Sequence, residues 1–298
     1  MPGPNGRSEA LLHQLALANP WAEPFLSLLH PVDDPEFQTA RRAACLHRLG
    51  AGEAAWGDWA AAAGELANEA ATTPLSRIAT ALAASDFTGQ VFDSPADFAA
   101  RQFPGDALFA HARIRREAYF NACIFHGNAD FAGAVLGQKG AWFESSVFLG
   151  EARFAGTLWT GQAEFRGVRF ARGAGFAGAV FRADIWARGA AFDAAADFAG
   201  AEFASEAGFG LARFGGPADF SDTCFRRGAG FEGAHFAAAV TFEHADFEHK
   251  AWFACSRFDG SAQFETTNFA SDPDLSGIEC THRVGQRELD ALRRRHVR

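Results

Sequence analysis

Between residues 85 and 270, phenylalanine returns at alternating steps of five and six, so the sequence repeats every eleven residues. Reading on from Phe192, the series is Phe198, Phe203, Phe209, Phe214, Phe220, Phe225, Phe231, Phe236, Phe242, Phe247, Phe253, Phe258, Phe264 and Phe269. Two residues before nearly every one stands a small residue, among them Ala196, Ala201, Ala207, Ala212, Ala218, Thr223, Ala229 and Ala234. A fixed short period marks a solenoid, in which each unit buries its apolar side only against its neighbours. The chain has 32 Phe but one Tyr and one Met, so a single structural slot selects Phe again and again.

A step of five is not a helical face, where apolar residues recur at three and four. Frequent Gly also opposes long helices. The triplet small–polar–Phe suits a very short strand, with i−2 and i pointing one way and i−1 the other. Each unit therefore reads as a short extended edge followed by a turn, and the chain has to coil. A small residue is needed at i−2 because two bulky groups per side would overfill so narrow an interior.

This pattern of small residue, polar residue and Phe resembles the pentapeptide-repeat family. The likeness covers most of residues 85–270, with Phe103, Phe125 and Phe170 fitting loosely (Cys123 and Val168 stand at i−2 of the last two). It implies a mainly β fold: a right-handed, four-sided parallel β-helix. The chain departs from the family in that every second unit has six residues, as in 196–206. Four units then make a coil of about 22 residues, against the family's usual twenty or so. A left-handed helix of three six-residue sides does not fit an eleven-residue period.

On that coil one corner stacks Phe87, Phe109, Phe131, Phe154, Phe176, Phe198, Phe220, Phe242 and Phe264 without a miss. The next runs Phe92, Ile114, Leu136, Trp159, Phe181, Phe203, Phe225, Phe247 and Phe269. A third holds Phe98, Phe120, Phe143, Phe165, Ala187, Phe209, Phe231 and Phe253, and the fourth is Phe from Phe103 to Phe258. The expectation is about eight coils, a rod about 40 Å long at about 4.8 Å per rung. Gly137–Gly140 carries one extra residue, expected as a bulge or small loop at a corner. Around Ile185–Trp186–Ala187 a Phe is missing; either Ile185 fills the space or the register slips.

Three regions follow: residues 1–84 as an α-helical N-terminal domain, 85–270 as the β-helix, and 271–298 as a C-terminal cap with a helix. In the first, Leu11, Leu12 and Leu15 share a helical face that stops near Asn19–Pro20. Asp34–Pro35 and Thr73–Pro74 are start signals, Gly50 is a stop, and Ala54–Ala71 reads as another helix. Four or five short helices are expected, either capping the open end of the solenoid or covering its side. Side cover would explain why one outward column is mostly apolar early (Val91, Arg113, Val135, Leu158, Val180) and polar later (Glu202, Cys224, Asp246, Asn268). Gly285–Arg298, with Leu289, Leu292 and Arg293–Arg295, reads as a capping helix with cations at its negative end; contact of the three arginines with nucleic acid is the sharper alternative.

Net charge is −9, with 22 acidic against 16 basic residues between 85 and 270. Mild acidity disfavours direct binding to nucleic acid, which needs clustered cations. The five cysteines are widely spaced and form no CxxC pair, so the reading is reduced thiols in a cytoplasmic protein. Met1–Glu9 lacks the basic start and apolar stretch of a secretory leader. No apolar run reaches the roughly eighteen residues of a membrane span.

No catalytic signature is present: no GxSxG, P-loop, GxGxxG after a long strand, or HExxH. No cofactor is expected. His244 and His249 with Glu243 and Glu248 lack the spacing of a metal site, and nothing in sequence near Cys224 would activate its thiol. The outward positions say more. One column reads Asp97, Tyr119, Trp142, Glu164, Trp186, Gly208, Gly230, Trp252, so the only Tyr and three of seven Trp share a face. Tyr119, Trp142, Trp186 and Trp252 are the candidate partner-binding stripe, since exposed aromatics are enriched at interface hot spots. The bland alternative has them packing under the helices or bracing the Gly137–Gly140 loop. A second face carries Arg169, Arg213, His235 and Arg257; a third, Asp86, Asp130, Asp197 and Asp219.

The expectation is a non-enzymatic rigid scaffold for a protein partner. The resemblance offers another version, because some pentapeptide-repeat proteins imitate duplex DNA, bind DNA gyrase and protect it from poisons. Such mimics are usually strongly acidic homodimers, and the arginine column departs from that. The third alternative, an enzyme or sensor in residues 1–84, lacks paired carboxylates or a ligand cluster; Trp21, Trp56 and Trp59 there read as core.

Overall fold

The computed structural model describes residues 4–26, 34–73, 75–281, 287, 290–292 and 294. After the N-terminal helices come thirty-five two-residue strands, which pair in parallel into four sheets of nine, nine, eight and nine strands. The first sheet runs from Ser85–Asp86 to Ala262–Gln263, and the second from Val91–Phe92 to Asn268–Phe269. The third runs from Ala96–Asp97 to Ala251–Trp252, and the fourth from Gln102–Phe103 to Glu279–Cys280. The result is a parallel β-solenoid of about nine turns. That is one turn more than expected, because the ladder runs past residue 270: Trp252 bridges Asp274, and Arg257–Phe258 pairs with Glu279–Cys280.

The alternation of five and six has a backbone cause. In the five-residue units the chain reverses through a turn with a positive φ at its third residue, as at Gly200 (φ 64°), closed by Ala201 N–H to the Phe198 carbonyl at 2.9 Å. That is a type II turn, which favours Gly because a side chain strains there. Leu211, Asp222 and His244 occupy the same left-handed position without being glycine. The six-residue corners use a wider turn that lies on the coil before it. At Gly150 an added Cβ would come within 2.3 Å of the Gly127 carbonyl oxygen.

Inside, the first corner's rings stack face to face at 4.7 to 5.0 Å from Phe87 to Phe264. Rings of opposite corners meet edge-on, as Phe198 and Phe209 do at 80°. Both geometries suit the aromatic quadrupole, and each buried ring contributes roughly 1.5–3 kcal/mol before entropy. The register does not slip at Ile185: Ala163, Ile185 and Ala207 are successive partners. Ile185 takes the small-residue slot and Ala187 the Phe slot, both buried, so the two sizes are exchanged within one rung. The extra residue at Gly137–Gly140 is absorbed in the turn. Gly140 N–H bonds the Gly137 carbonyl at 3.1 Å, while Val135 still pairs with Leu158 and Ala118 with Ala141.

The helices are α1 (Pro4–Ala18), a 3-10 turn (Pro20–Phe25), α2 (Pro35–Ala51), α3 (Glu53–Ala70) and α4 (Ser76–Ala83). Asp34 caps α2 as its sequence implies, accepting from the Glu36 N–H at 2.7 Å. The stop is Gly52 rather than Gly50, since it is Gly52 that takes the positive φ of 97°. Of the second start signal, Pro74 lies outside the described residues; the Thr73 hydroxyl accepts from the Leu75 N–H at 3.2 Å. The helices cap the end of the solenoid and leave the side open. Trp56 sits over the first coil, 6.2 Å from Phe87 and 5.4 Å from Phe103, and its indole N–H donates to the Gln102 carbonyl at 2.8 Å. Arg41 pairs with the buried Asp86 at 2.8 Å. Val91, first in the early apolar column, stays 38% exposed. At the far end Asp290–Leu292 is helical and Leu292 is buried in the solenoid core; Leu289, Arg293 and Arg295 lie outside the described residues. No described helix is long and apolar enough to cross a membrane.

Candidate functional site

The third sheet carries the aromatic column on its outer surface. Ladder pairing sets Asp97, Tyr119, Trp142, Glu164, Trp186, Gly208, Gly230 and Trp252 on successive rungs. All four candidate residues therefore share one face, and each is half-buried rather than fully exposed. The helices do not cover them, since their main contacts with the solenoid are at Ser85–Asp86 and Gln102–Phe103. Tyr119 and Trp142 stack at 5.0 Å and 14°. Trp142 also braces the extra-residue corner, because a Cβ at Gly140 would meet its ring at 2.7 Å.

Two features of this face were hidden in the sequence. Glu164, between the rungs of Trp142 and Trp186, is buried, with a side chain only 3% exposed. Arg166 holds it: the Glu164 carboxylate accepts from Arg166 Nε at 2.9 Å and from its backbone N–H at 3.1 Å. These bonds, with the pull of Glu164 and Glu144, raise the Arg166 pKa above its ordinary value. Beyond Trp186 lies a slot of about 200 Å³, floored by Gly208 and Gly230, closed by Trp252, with Glu206 and Glu232 at its edge. It exists because those rungs lack side chains. Trp186 leans over Gly208, where a Cβ would lie 2.6 Å from the indole.

Most members of the charged columns are spent locally. Asp130, Asp197 and Asp219 each accept a backbone N–H two residues on, at 2.8 to 2.9 Å, closing their own turns. Asp86 is buried against Arg41. On the fourth sheet Arg169 pairs with Asp193 at 2.7 Å, and His235 and Arg257 share Asp259 at 2.7 and 2.8 Å. Hydrogen bonds from His235 and then Arg257 hold the Asp259 carboxyl below its ordinary range. No family model, curated protein or solved structure matches the chain.

Among the described residues no three His, Cys, Asp or Glu side chains gather as a metal site, the His244–His249 segment included. None of the five cysteines forms a disulfide. Burial pushes the Cys123 thiol up to about 12 and raises that of Cys45. Cys224 is also raised, by desolvation first, and donates to Glu248 at 3.6 Å. A thiolate is the reactive form, so a disulfide reagent at pH 8 is expected to label Cys255, the exposed one, first. Cys224 and Cys280 should follow slowly, and Cys45 and Cys123 only after unfolding. Mass mapping of the labelled peptides checks the order, and early labelling of Cys123 would contradict it.

Proposed function

We propose that this chain is a non-enzymatic pentapeptide-repeat protein that serves as a rigid scaffold for a protein partner. In this reading it adopts the right-handed, four-sided form of the coil, with residues 1–84 and 271–298 closing the ends of the 85–270 solenoid. Its place is the cytoplasm, where the five thiols stay reduced. The partner face is the third sheet, with Tyr119, Trp142, Trp186 and Trp252 as anchors. The observation that carries this is an aromatic column left half open on a hydrogen-bonded ladder that the helices do not cover. Rings held on a fixed backbone bury large areas at little entropic cost, as interface anchors do. Gyrase mimicry is the weaker version, because a DNA-like surface needs a continuous run of free acids. Here Asp130, Asp197 and Asp219 close turns, and Arg226 bridges Glu202 and Glu248 at 2.7 and 3.2 Å.

The test is affinity capture with the wild type beside a Trp142→Ala/Trp252→Ala variant of unchanged circular dichroism. Proteins retained by the wild type and lost by the variant are the expected result. Identical capture by both would remove the aromatic face from the mechanism. In parallel, no inhibition of gyrase supercoiling is expected, with or without a quinolone; inhibition or protection would move the assignment to mimicry.

A further inference from the structure

A cleft of about 600 Å³ lies between α3 and the first coil, several coils away from the Trp186–Trp252 slot. Its walls are Trp56, Ala60 and Ala61 of α3 and Ala100, Arg101 and Gln102 of the solenoid. That volume suits a small organic ligand.

Arg101 is out of place there. It stands two residues before Phe103, in the inward slot that the following coils fill with Cys123, Ser146, Val168, Ala190, Ala212 and Ala234, all buried. A guanidinium fits in that slot only at the first coil, where no rung lies beneath and the side chain can leave toward α3. It does so while remaining only 8% exposed. Its Nε is sealed from solvent without an acceptor. The Trp56 ring, 5.6 Å from the guanidinium carbon, supplies a cation–π contact but no hydrogen bond. A sealed guanidinium N–H without an acceptor is costly unless something supplies one.

A second feature converges on the same cleft. Helix α3 begins there at Glu53, and no side chain caps its first turn. Uncapped helix N–H groups and the positive end of the helix dipole favour an anion. Glu53 and Asp58, exposed on the rim, oppose a multiply charged ligand, while the alanines and Trp56 suit an apolar body.

We propose that this cleft binds a monocarboxylate with an apolar body, its carboxylate received by Arg101 beside the α3 N-terminus. A guanidinium matches a carboxylate with two parallel hydrogen bonds, which would supply the missing acceptor. The site lies apart from the third sheet and does not depend on the partner-face reading.

Hexanoate is the probe, titrated calorimetrically into the full-length protein at constant ionic strength, with neutral hexanamide and inorganic phosphate as controls. Hexanoate is expected to bind and to raise the melting temperature, while hexanamide and phosphate bind at least tenfold more weakly. Arg101→Gln should lose at least tenfold in hexanoate affinity yet melt no lower than the wild type without ligand, since it removes the sealed Nε–H that lacks an acceptor. Ala61→Phe, at an exposed wall position, should block hexanoate while leaving Arg101 in place, and decides the matter if Arg101→Gln fails to fold. The proposal is overturned if hexanoate leaves the wild type unchanged at tens of millimolar. Equal binding by either variant, or a lower melting temperature for Arg101→Gln with no hexanoate response in the wild type, also overturns it; the latter would make Arg101 a structural partner of Trp56 alone.

Discussion

Phe198→Ala is expected to destabilise the protein by about 3–5 kcal/mol, the range for emptying a large buried aromatic site. Phe198 is 1% exposed and stacks at 4.8 Å on both Phe176 and Phe220. It also meets Phe209 edge-on at 5.5 Å. The cavity cannot close, because rung spacing is set by backbone bonds such as Phe198 N–H to the Asp219 carbonyl at 2.7 Å. Phe269 makes the contrast: it lies in the last strand of its sheet, 9% exposed, and stacks on Phe247 at 4.8 Å. Phe269→Ala should therefore cost well under half as much, and Phe198→Leu should recover most of the loss. Urea unfolding followed by circular dichroism measures all three. Equal losses at positions 198 and 269 would mean that the stack does not act as a continuous core.

The second large effect is expected at the junction of cap and solenoid. Asp86→Ala should cost roughly 3–5 kcal/mol, the range for removing one partner of a buried ion pair. Asp86 is 2% exposed and Arg41 9%, and they meet at 2.8 Å. Asp86 also accepts the Thr88 N–H at 3.0 Å, and Arg41 reaches the Ala81 carbonyl at 3.5 Å. Without the carboxylate, the Arg41 guanidinium stays buried and loses its charged partner. The penalty should fall on one end of the molecule. Hydrogen exchange is expected to accelerate across α2 and α4, while amides from about residue 120 to 250 keep their protection, because each repeat contacts only its neighbours. An Arg41→Leu/Asp86→Leu double variant should recover much of the loss, since apolar replacements of a buried pair are often neutral or better. Uniform loss of protection along the chain would instead show that the cap and solenoid unfold as one unit.

The aromatic face was legible from spacing alone: residues one coil apart are ladder partners, so Tyr119, Trp142, Trp186 and Trp252 had to share a sheet. What those side chains do to one another was not legible. Nothing in the local sequence marks Glu164 as buried or Trp186 as leaning over Gly208, because both depend on neighbours a coil away. The role of the acidic column is local but equally unmarked. Asp130, Asp197 and Asp219 look like surface charge until their bonds to the N–H two residues on are seen.

The sequence by itself determined the coil: the period, the four columns and the small-residue slot. Each of these is a choice repeated at every rung, and repetition makes a weak local preference unambiguous. Only the tertiary structure decided that the helices cap the end rather than cover the side, that a ninth turn runs beyond residue 270, and that Arg101 faces a cleft instead of the core. These are single events at the ends of the rod, where the repeat stops and no periodic signal remains to report what packs against the last rung.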